Sequence, residues 1–255
     1  MRLRPIPIWA LLGLIGLLSI LLNLVLLGKL VSCRENGILR AVHFDHARVF
    51  ARKNTMLPAK DPHRPRVVLF GDSRVAQWNP LPADSMEVIN RGISGEWTGQ
   101  MRLRFAQDVL ALKPDVLIIQ AGINDLVAAS RIDPEFRKVL VRQCIENLIA
   151  FANQGADQRI EVVFLSIFPP VAPPFYRLDI LESPIWTLVD AVNGRLNQLR
   201  PNTRITLVDT QKVFLNPDGS WRAGVALDSL HLTAKGYELL NRNLDPILAR
   251  VLNKR

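Results

Sequence analysis

Beyond Pro65 the chain alternates between short apolar runs and longer stretches in which apolar residues recur every three or four positions. The short runs, near residues 66–70, 86–90, 115–120, 160–167 and 204–208, read as strands. The periodic stretches, near 97–112, 134–153, 184–199 and 233–252, read as helices. Runs such as Val67-Val68-Leu69-Phe70 lack the alternation of a half-exposed strand, which is the pattern of strands covered on both faces. The expected architecture is α/β, a three-layer α/β/α sandwich around a five-stranded parallel sheet. No internal repeat is evident. Pro169-Pro170 and Pro173-Pro174 mark a long loop after the fourth strand, a position suited to the rim of a substrate site.

The N-terminus follows a different pattern. From Pro5 to Gly28 the chain carries no charge and is dominated by Leu and Ile. As a helix this stretch would be about 36 Å long, enough to cross a bilayer, and it exceeds the apolar core of an ordinary signal peptide. The expected division is a tail at 1–4, a transmembrane anchor at 5–28, a juxtamembrane helix and linker at 29–65, and one catalytic domain at 66–255. Ile38, Leu39, Val42, Val49 and Phe50 recur at helical spacing and predict an amphipathic helix, lying on a bilayer or packed on the domain and ended by Pro58, Pro62 and Pro65. Leu30-Val31-Ser32-Cys33 offers an alternative, a lipoprotein processing box with Cys33 lipidated, although Lys29 interrupts the apolar run before it. Arg2 and Arg4 precede the segment while Lys29, Arg34, Arg40 and Arg48 follow it, so charge alone does not orient it.

With 255 residues, 49% of them hydrophobic, the chain can bury one sizeable core. Its net charge of +9 raises nucleic acid as a partner, but the basic residues are scattered and not interleaved with aromatics as in a binding module. Anionic headgroups or an acidic glycan fit that charge better. His43-Phe44-Asp45-His46 contains a possible ligand pair without further ligands nearby, so no metal is expected there. Cys144 falls in an apolar helical pattern, where a buried free thiol is the default.

Four short motifs carry the candidate chemistry. Gly71-Asp72-Ser73-Arg74 follows the first strand, Ile93-Ser94-Gly95-Glu96 the second, and Ala121-Gly122-Ile123-Asn124-Asp125 the third, while Asp228-Ser229-Leu230-His231 precedes the last helix. A Gly-Asp-Ser triplet alone is a weak signal, because small polar residues end most strands. In this order, and over roughly residues 66 to 250, the four resemble the SGNH or GDSL hydrolase superfamily. The resemblance implies strand order 2-1-3-4-5, no cofactor, Ser73 as nucleophile and Asp228 with His231 as the rest of a triad. It also implies an oxyanion hole from the backbone N–H groups of Ser73 and Gly95 and the side-chain amide of Asn124. Gly92 competes with Gly95, but a glycine in Ile-Ser-Gly before an acidic residue fits the second block better. Arg74 stands where leucine is usual. With that strand order, Ser73 and Asn124 end the two strands that flank a topological switch point, where open α/β sheets bind ligands.

The residue types suit the task. Serine is a poor nucleophile at its free pKa, so an imidazole must take its proton and a carboxylate must hold that imidazole in the productive tautomer. His231 and Asp228 lie three apart in one loop, and the other histidines belong to the linker. Asp72 and Asp125 are expected to fix loops rather than react. Arg74, Trp78 and Trp97 are the candidate substrate-binding residues, the indoles for sugar rings and the guanidinium for an anionic group, with Trp221 as a further indole near a motif. The reading is a membrane-anchored serine esterase for short acyl groups, acetyl among them, on an envelope or extracellular carbohydrate. The leader-like N-terminus and the resemblance imply a periplasmic or extracellular catalytic domain. Alternatives are a lipase, lysophospholipase or thioesterase for longer chains, an acyltransferase, and a non-enzymatic membrane-tethered assembly or binding protein.

Overall fold

The computed structural model describes residues 13–29, 48–78, 85–171, 185–197 and 203–253. It divides into two units, Met1–Asp45 and His46–Arg255. In the first, residues 13–29 form helix α1. Its Leu, Ile and Val side chains from Leu14 to Leu27 are 50–59% exposed, so they have no core of their own to enter. Among the described residues no helix is long and apolar enough to cross a membrane. The expected span over 5–28 is therefore unsupported as a whole, since α1 falls short of the roughly 20 residues a bilayer needs and residues 5–12 lie outside the described ones. Residues 1–4, Cys33, His43 and His46 also lie outside them, as does most of the expected amphipathic helix.

The second unit runs α2 (Ala51–Thr55), β1 (Arg66–Gly71), α3 (Ser73–Ala76), β2 (Glu87–Gly92), α4 (Thr98–Asp108), a 3-10 turn (Leu110–Leu112), β3 (Val116–Gln120), α5 (Ile123–Ala129), α6 (Pro134–Asp157), β4 (Glu161–Leu165), α7 (Ile185–Leu196), β5 (Ile205–Val208), α8 (Thr210–Phe214) and α9 (Ala234–Leu252). The five strands form one sheet in the order β2-β1-β3-β4-β5. Every neighbouring pair is parallel, with Leu69 opposite Asn90 on one side and Ile118 on the other. The predicted α/β class, five-stranded parallel sheet and strand order therefore hold.

The continuous apolar runs now have a physical explanation. Successive side chains of a strand point to opposite faces. Val68, Phe70, Leu117, Ile119, Val162 and Phe164 enter a core that also takes Met101 and Phe105 of α4 and Phe151 of α6. Val67, Leu69, Val116, Ile118, Val163 and Leu165 enter a second core with Tyr237, Leu240, Leu244 and Leu248 of α9. Those α9 leucines recur every four residues and are at most 2% exposed, so each contributes about 1.5–3 kcal/mol of burial. Phe70 closes its core by edge-on contacts with Phe105 and Phe151, centroids 5.3 and 5.5 Å away.

Most departures from expectation have a local cause. The fourth strand stops at Leu165 because Ile167 gives both its backbone groups to the Asn193 side chain, at 2.8 Å each. The first long helix breaks at Val109 (φ −126°, ψ −68°) and finishes as the 3-10 turn. The helices α3, α5 and α8 span four to seven residues, too few to show a period. Helix α2 begins after Phe50, whose buried ring lies under the Arg91 guanidinium at 4.7 Å, so the described end of the juxtamembrane stretch packs on the domain.

The central strands open the crevice. Helix α3 after β1 sends Val75 into one core, and α5 after β3 sends Ile123 and Leu126 into the other. The chain thus leaves two adjacent strands toward opposite faces. Gly71 permits this closeness, because a Cβ there would sit 1.9 Å from the Gln120 carbonyl oxygen.

Candidate active site

Ser73 opens α3, one residue after the buried Asp72 that caps it by accepting the Arg74 N–H at 2.9 Å. Asn90 fixes the helix from the side, donating to the Val75 carbonyl at 2.7 Å while accepting the Gly92 N–H at 2.8 Å. The Tyr237 hydroxyl donates to the Arg74 carbonyl at 2.7 Å, tying α3 to α9. Ser73 is only 7% exposed, so its Oγ faces a confined space.

His231 comes from the loop before α9. The loop is drawn into a narrow antiparallel turn by the Ala226–Leu232 bridge and by the Leu227 N–H donating to the His231 carbonyl at 2.9 Å. Within that turn Asp228 accepts the N–H groups of Leu230 at 2.7 Å and His231 at 2.8 Å. Its carboxylate thereby faces the imidazole Nδ1, at 2.8 and 3.0 Å, while Nε2 lies 2.9 Å from Ser73 Oγ. Burial acts to raise the Asp228 carboxyl, but these N–H donors and the imidazole outweigh it and hold the group below the usual carboxylate value. An ionised carboxylate at Nδ1 keeps the proton there and leaves the Nε2 lone pair toward the serine. The structure therefore brings the three predicted triad residues into one hydrogen-bonded line.

The other predicted groups approach from the second and third motifs. Gly95 turns the chain after β2 with φ +77°, and the place a Cβ would take is open. Gly92 is different: a Cβ there would lie 2.1 Å from the Ala76 nitrogen, so its absence serves packing against α3. Asn124, in the first turn of α5, donates one Nδ2 proton to the Glu96 carbonyl at 3.0 Å and has a second to offer. Asp125 accepts from the Thr98 hydroxyl at 2.6 Å and the Thr98 N–H at 3.0 Å, locking the third motif to the start of α4. Burial pushes the Asp125 and Asp72 carboxyls up to about 6 against these donors and against Arg74 respectively. Gly122 (φ +105°) lies over Cys144, whose thiol is free and buried and is pushed well up by that burial.

Two expected substrate contacts point elsewhere. The Arg74 side chain is 1% exposed and donates through Nε and Nη1 to the Leu230 and Phe168 carbonyls at 2.9 and 2.8 Å, while its Nη2 is buried without a hydrogen-bond partner among the described residues, so the side chain faces the protein interior. Trp78 is 4% exposed, stacks on Tyr237 and donates its indole N–H to Asn241 at 2.8 Å. Trp221 stacks on Phe214. Trp97, 41% exposed at the start of α4, remains accessible beside the second motif. The expected Pro-rich rim is described only to Val171.

A buried ionic network escaped the sequence reading. The Arg104 guanidinium binds the Glu96 carboxylate twice through Nε, at 2.8 and 2.9 Å, and Asp108 at 3.3 Å, and it reaches the Gly71 carbonyl at 3.3 Å. Asn54 of α2 extends the network, donating to Asp108 at 2.7 Å and accepting from Arg91. It thus ties the turn carrying Gly95 and Glu96 to the end of β1. The only signal was a pair of charges, Arg104 and Asp108, four apart among the apolar positions of a helix.

The fold and the family resemblance agree with comparisons to known proteins. The profile of the GDSL-like lipase/acylhydrolase family matches residues 68–239. The uncharacterized lipoprotein YqeF of Bacillus subtilis is 30% identical, over 68% of this chain and 85% of its own. An acetylxylan esterase of Geobacillus stearothermophilus is 26% identical over 63% and 71% of the two chains, and the human platelet-activating factor acetylhydrolase IB subunit alpha2 is 25% identical over 78% and 82%. Among solved structures, a GDSL-like lipase from Bacteroides thetaiotaomicron superposes with a TM-score of 0.66, at 21% identity over 81% of this chain and 98% of that one, a likeness of fold. With the profile spanning two thirds of its length, the chain belongs to the GDSL-like lipase/acylhydrolase family and is an ester-hydrolysing enzyme.

Proposed function

We propose that the protein is a membrane-anchored serine esterase that removes short acyl groups, acetyl among them, from an envelope or extracellular carbohydrate. The observation that carries the chemistry is the line Asp228–His231–Ser73, with contacts of 2.8 and 2.9 Å. Nε2 takes the Oγ proton as Oγ bonds to the acyl carbon, and the carbonyl oxygen gains the negative charge. That oxygen is received by the N–H groups of Ser73 and Gly95 and by the free proton of the Asn124 amide. Collapse expels the alcohol, which leaves with the proton from Nε2. Water then gives a proton to Nε2 and its oxygen to the acyl carbon, and collapse expels Oγ, which takes that proton back from Nε2, and releases the acid. Asn124→Ala is expected to lower kcat on the order of 10²- to 10³-fold with little change in KM. An unchanged kcat in a steady-state assay would leave Asn124 only its contact with Glu96.

The acetyl reading is supported by the names of two relatives, an acetylxylan esterase and a platelet-activating factor acetylhydrolase subunit, and the carbohydrate reading by the exposed indole of Trp97. The test is kcat/KM for one alcohol esterified with acyl chains of increasing length. Efficiency is expected to peak at acetyl, and a steady rise toward long chains would replace this reading with a lipase or thioesterase.

Anchoring is supported by the uncharged stretch from Pro5 to Gly28 and by the exposed apolar surface of α1. Full-length protein is expected to resist salt and alkali, to be released by detergent, and to be open to protease outside spheroplasts. Release by salt alone would point to attachment through the basic surface.

A further inference from the structure

Ser73 and Arg74 are consecutive on α3, and Leu230 and His231 are consecutive on the loop before α9. Two hydrogen bonds join these neighbours like rungs: Ser73 Oγ with His231 Nε2 at 2.9 Å, and Arg74 Nε with the Leu230 carbonyl at 2.9 Å. We propose that Arg74 is a positioning residue, whose buried guanidinium holds the His231 loop at working distance from Ser73 throughout turnover. The inference rests on the reading of Ser73, His231 and Asp228 as the triad.

The two rungs differ in permanence. The serine rung breaks when Oγ is acylated, because Oγ then carries the acyl group and has no proton to share. The arginine rung uses a backbone carbonyl and a side chain that take no part in the chemistry, so it persists. At that stage the imidazole must stay over the acyl carbon to activate water, and only the loop's own attachments keep it there. Among the described residues these include the turn around Asp228 with the Ala226–Leu232 bridge, the packing of Leu230 and Leu232 on the two cores, the Val171 N–H donating to the Ser229 carbonyl at 2.9 Å, and Arg74, which grips the residue next to His231.

Arg74 is itself held on several sides. Its Nη1 donates to the Phe168 carbonyl at 2.8 Å, its guanidinium lies 3.6 Å from the centre of the Phe168 ring, and its carbonyl accepts the Tyr237 hydroxyl. The planar fork thus binds the loop after β4 with one prong and the His231 loop with the other, a geometry an ammonium cannot reproduce. Burying a cation here is costly, and that burial lowers its pKa to about 10, although it remains charged at neutral pH with Asp72 nearby. The guanidinium answers two backbone carbonyls from two different loops, which an apolar side chain of the same volume would leave unmet.

The experiment is burst and steady-state kinetics of Arg74→Met and Arg74→Lys with an activated acetyl ester, beside Ser73→Ala. In Arg74→Met both acylation and deacylation are expected to slow on the order of 10- to 100-fold, with KM within about twofold, because a small misplacement of a reacting group costs rate rather than affinity. Arg74→Lys should recover part of each rate. The downfield proton resonance of His231 Nδ1–H should broaden in Arg74→Met and broaden less in Arg74→Lys. A folded Arg74→Met with wild-type kcat, or with its loss confined to KM, would overturn the proposal. If Arg74→Met does not fold, Arg74→Lys decides: reduced rates at constant KM support the role, and wild-type rates overturn it. Turnover by Ser73→Ala would instead overturn the triad reading on which the proposal rests.

Discussion

Ser73→Ala and His231→Ala are each expected to lower kcat on the order of 10⁴- to 10⁶-fold. Without Oγ there is no atom to carry the acyl group, and without the imidazole Oγ keeps its proton, so either change removes the same step. The losses should therefore not add: the double variant is expected to be about as slow as either single one. Neither change should unfold the protein, because Ser73 Oγ and the imidazole bond mainly to each other and to Asp228. Asp228 is half exposed, so solvent can take over part of its charge stabilisation in their absence. Steady-state hydrolysis by the purified variants is the measurement, with circular dichroism as the check on folding. Turnover by Ser73→Ala within tenfold of wild type would remove Ser73 from the chemistry.

The second large effect is on stability. Arg104→Met leaves the fully buried carboxylates of Glu96 and Asp108 without their shared cation, although Asp108 keeps the Asn54 donor. Breaking a buried pair from one side costs about 3–5 kcal/mol, a fall in Tm of about 6–20 °C for a domain of this size. Arg104→Met combined with Glu96→Gln should recover much of the loss, because one of the two buried negative charges is then gone. Activity should fall in the single variant beyond what unfolding explains, since the Glu96 carbonyl orients the Asn124 amide. Thermal and urea unfolding of the three proteins decides it. A loss below about 1 kcal/mol for Arg104→Met would mean that solvent reaches these carboxylates.

How far the sequence was legible follows from what each signal encodes. Apolar runs encode burial on both faces of a sheet, and Val67 to Phe70 and Val116 to Ile119 indeed feed two cores alternately. The strands and long helices were readable for that reason. The one-turn helix α3 was not, because its formation depends on the Asp72 cap and on Asn90 gripping Val75, contacts with no periodicity. The triad could be named because four short motifs in order resemble the SGNH or GDSL superfamily, and the short loop that Asp228 and His231 share is consistent with that role. Arg74 and Trp78 were misread for a complementary reason. Closeness to a motif in sequence does not say where a side chain points, and on α3 the directions run to Leu230 and Asn241. The Glu96–Arg104 pair was hidden because its eight-residue separation crosses from a turn into a helix, which no local pattern marks. At the N-terminus hydropathy reports that a segment avoids water, and the exposed apolar side chains of α1 are the structural form of that signal.

The most direct test of the account is to trap the intermediate. The enzyme is mixed with an activated acetyl ester, quenched in acid within the first turnover, digested and weighed by mass spectrometry. One acetyl group is expected on the peptide that contains Ser73, absent from Ser73→Ala and present at higher occupancy when deacylation is slowed. Acetyl on a different residue, or none at any quench time while hydrolysis proceeds at the wild-type rate, would contradict it.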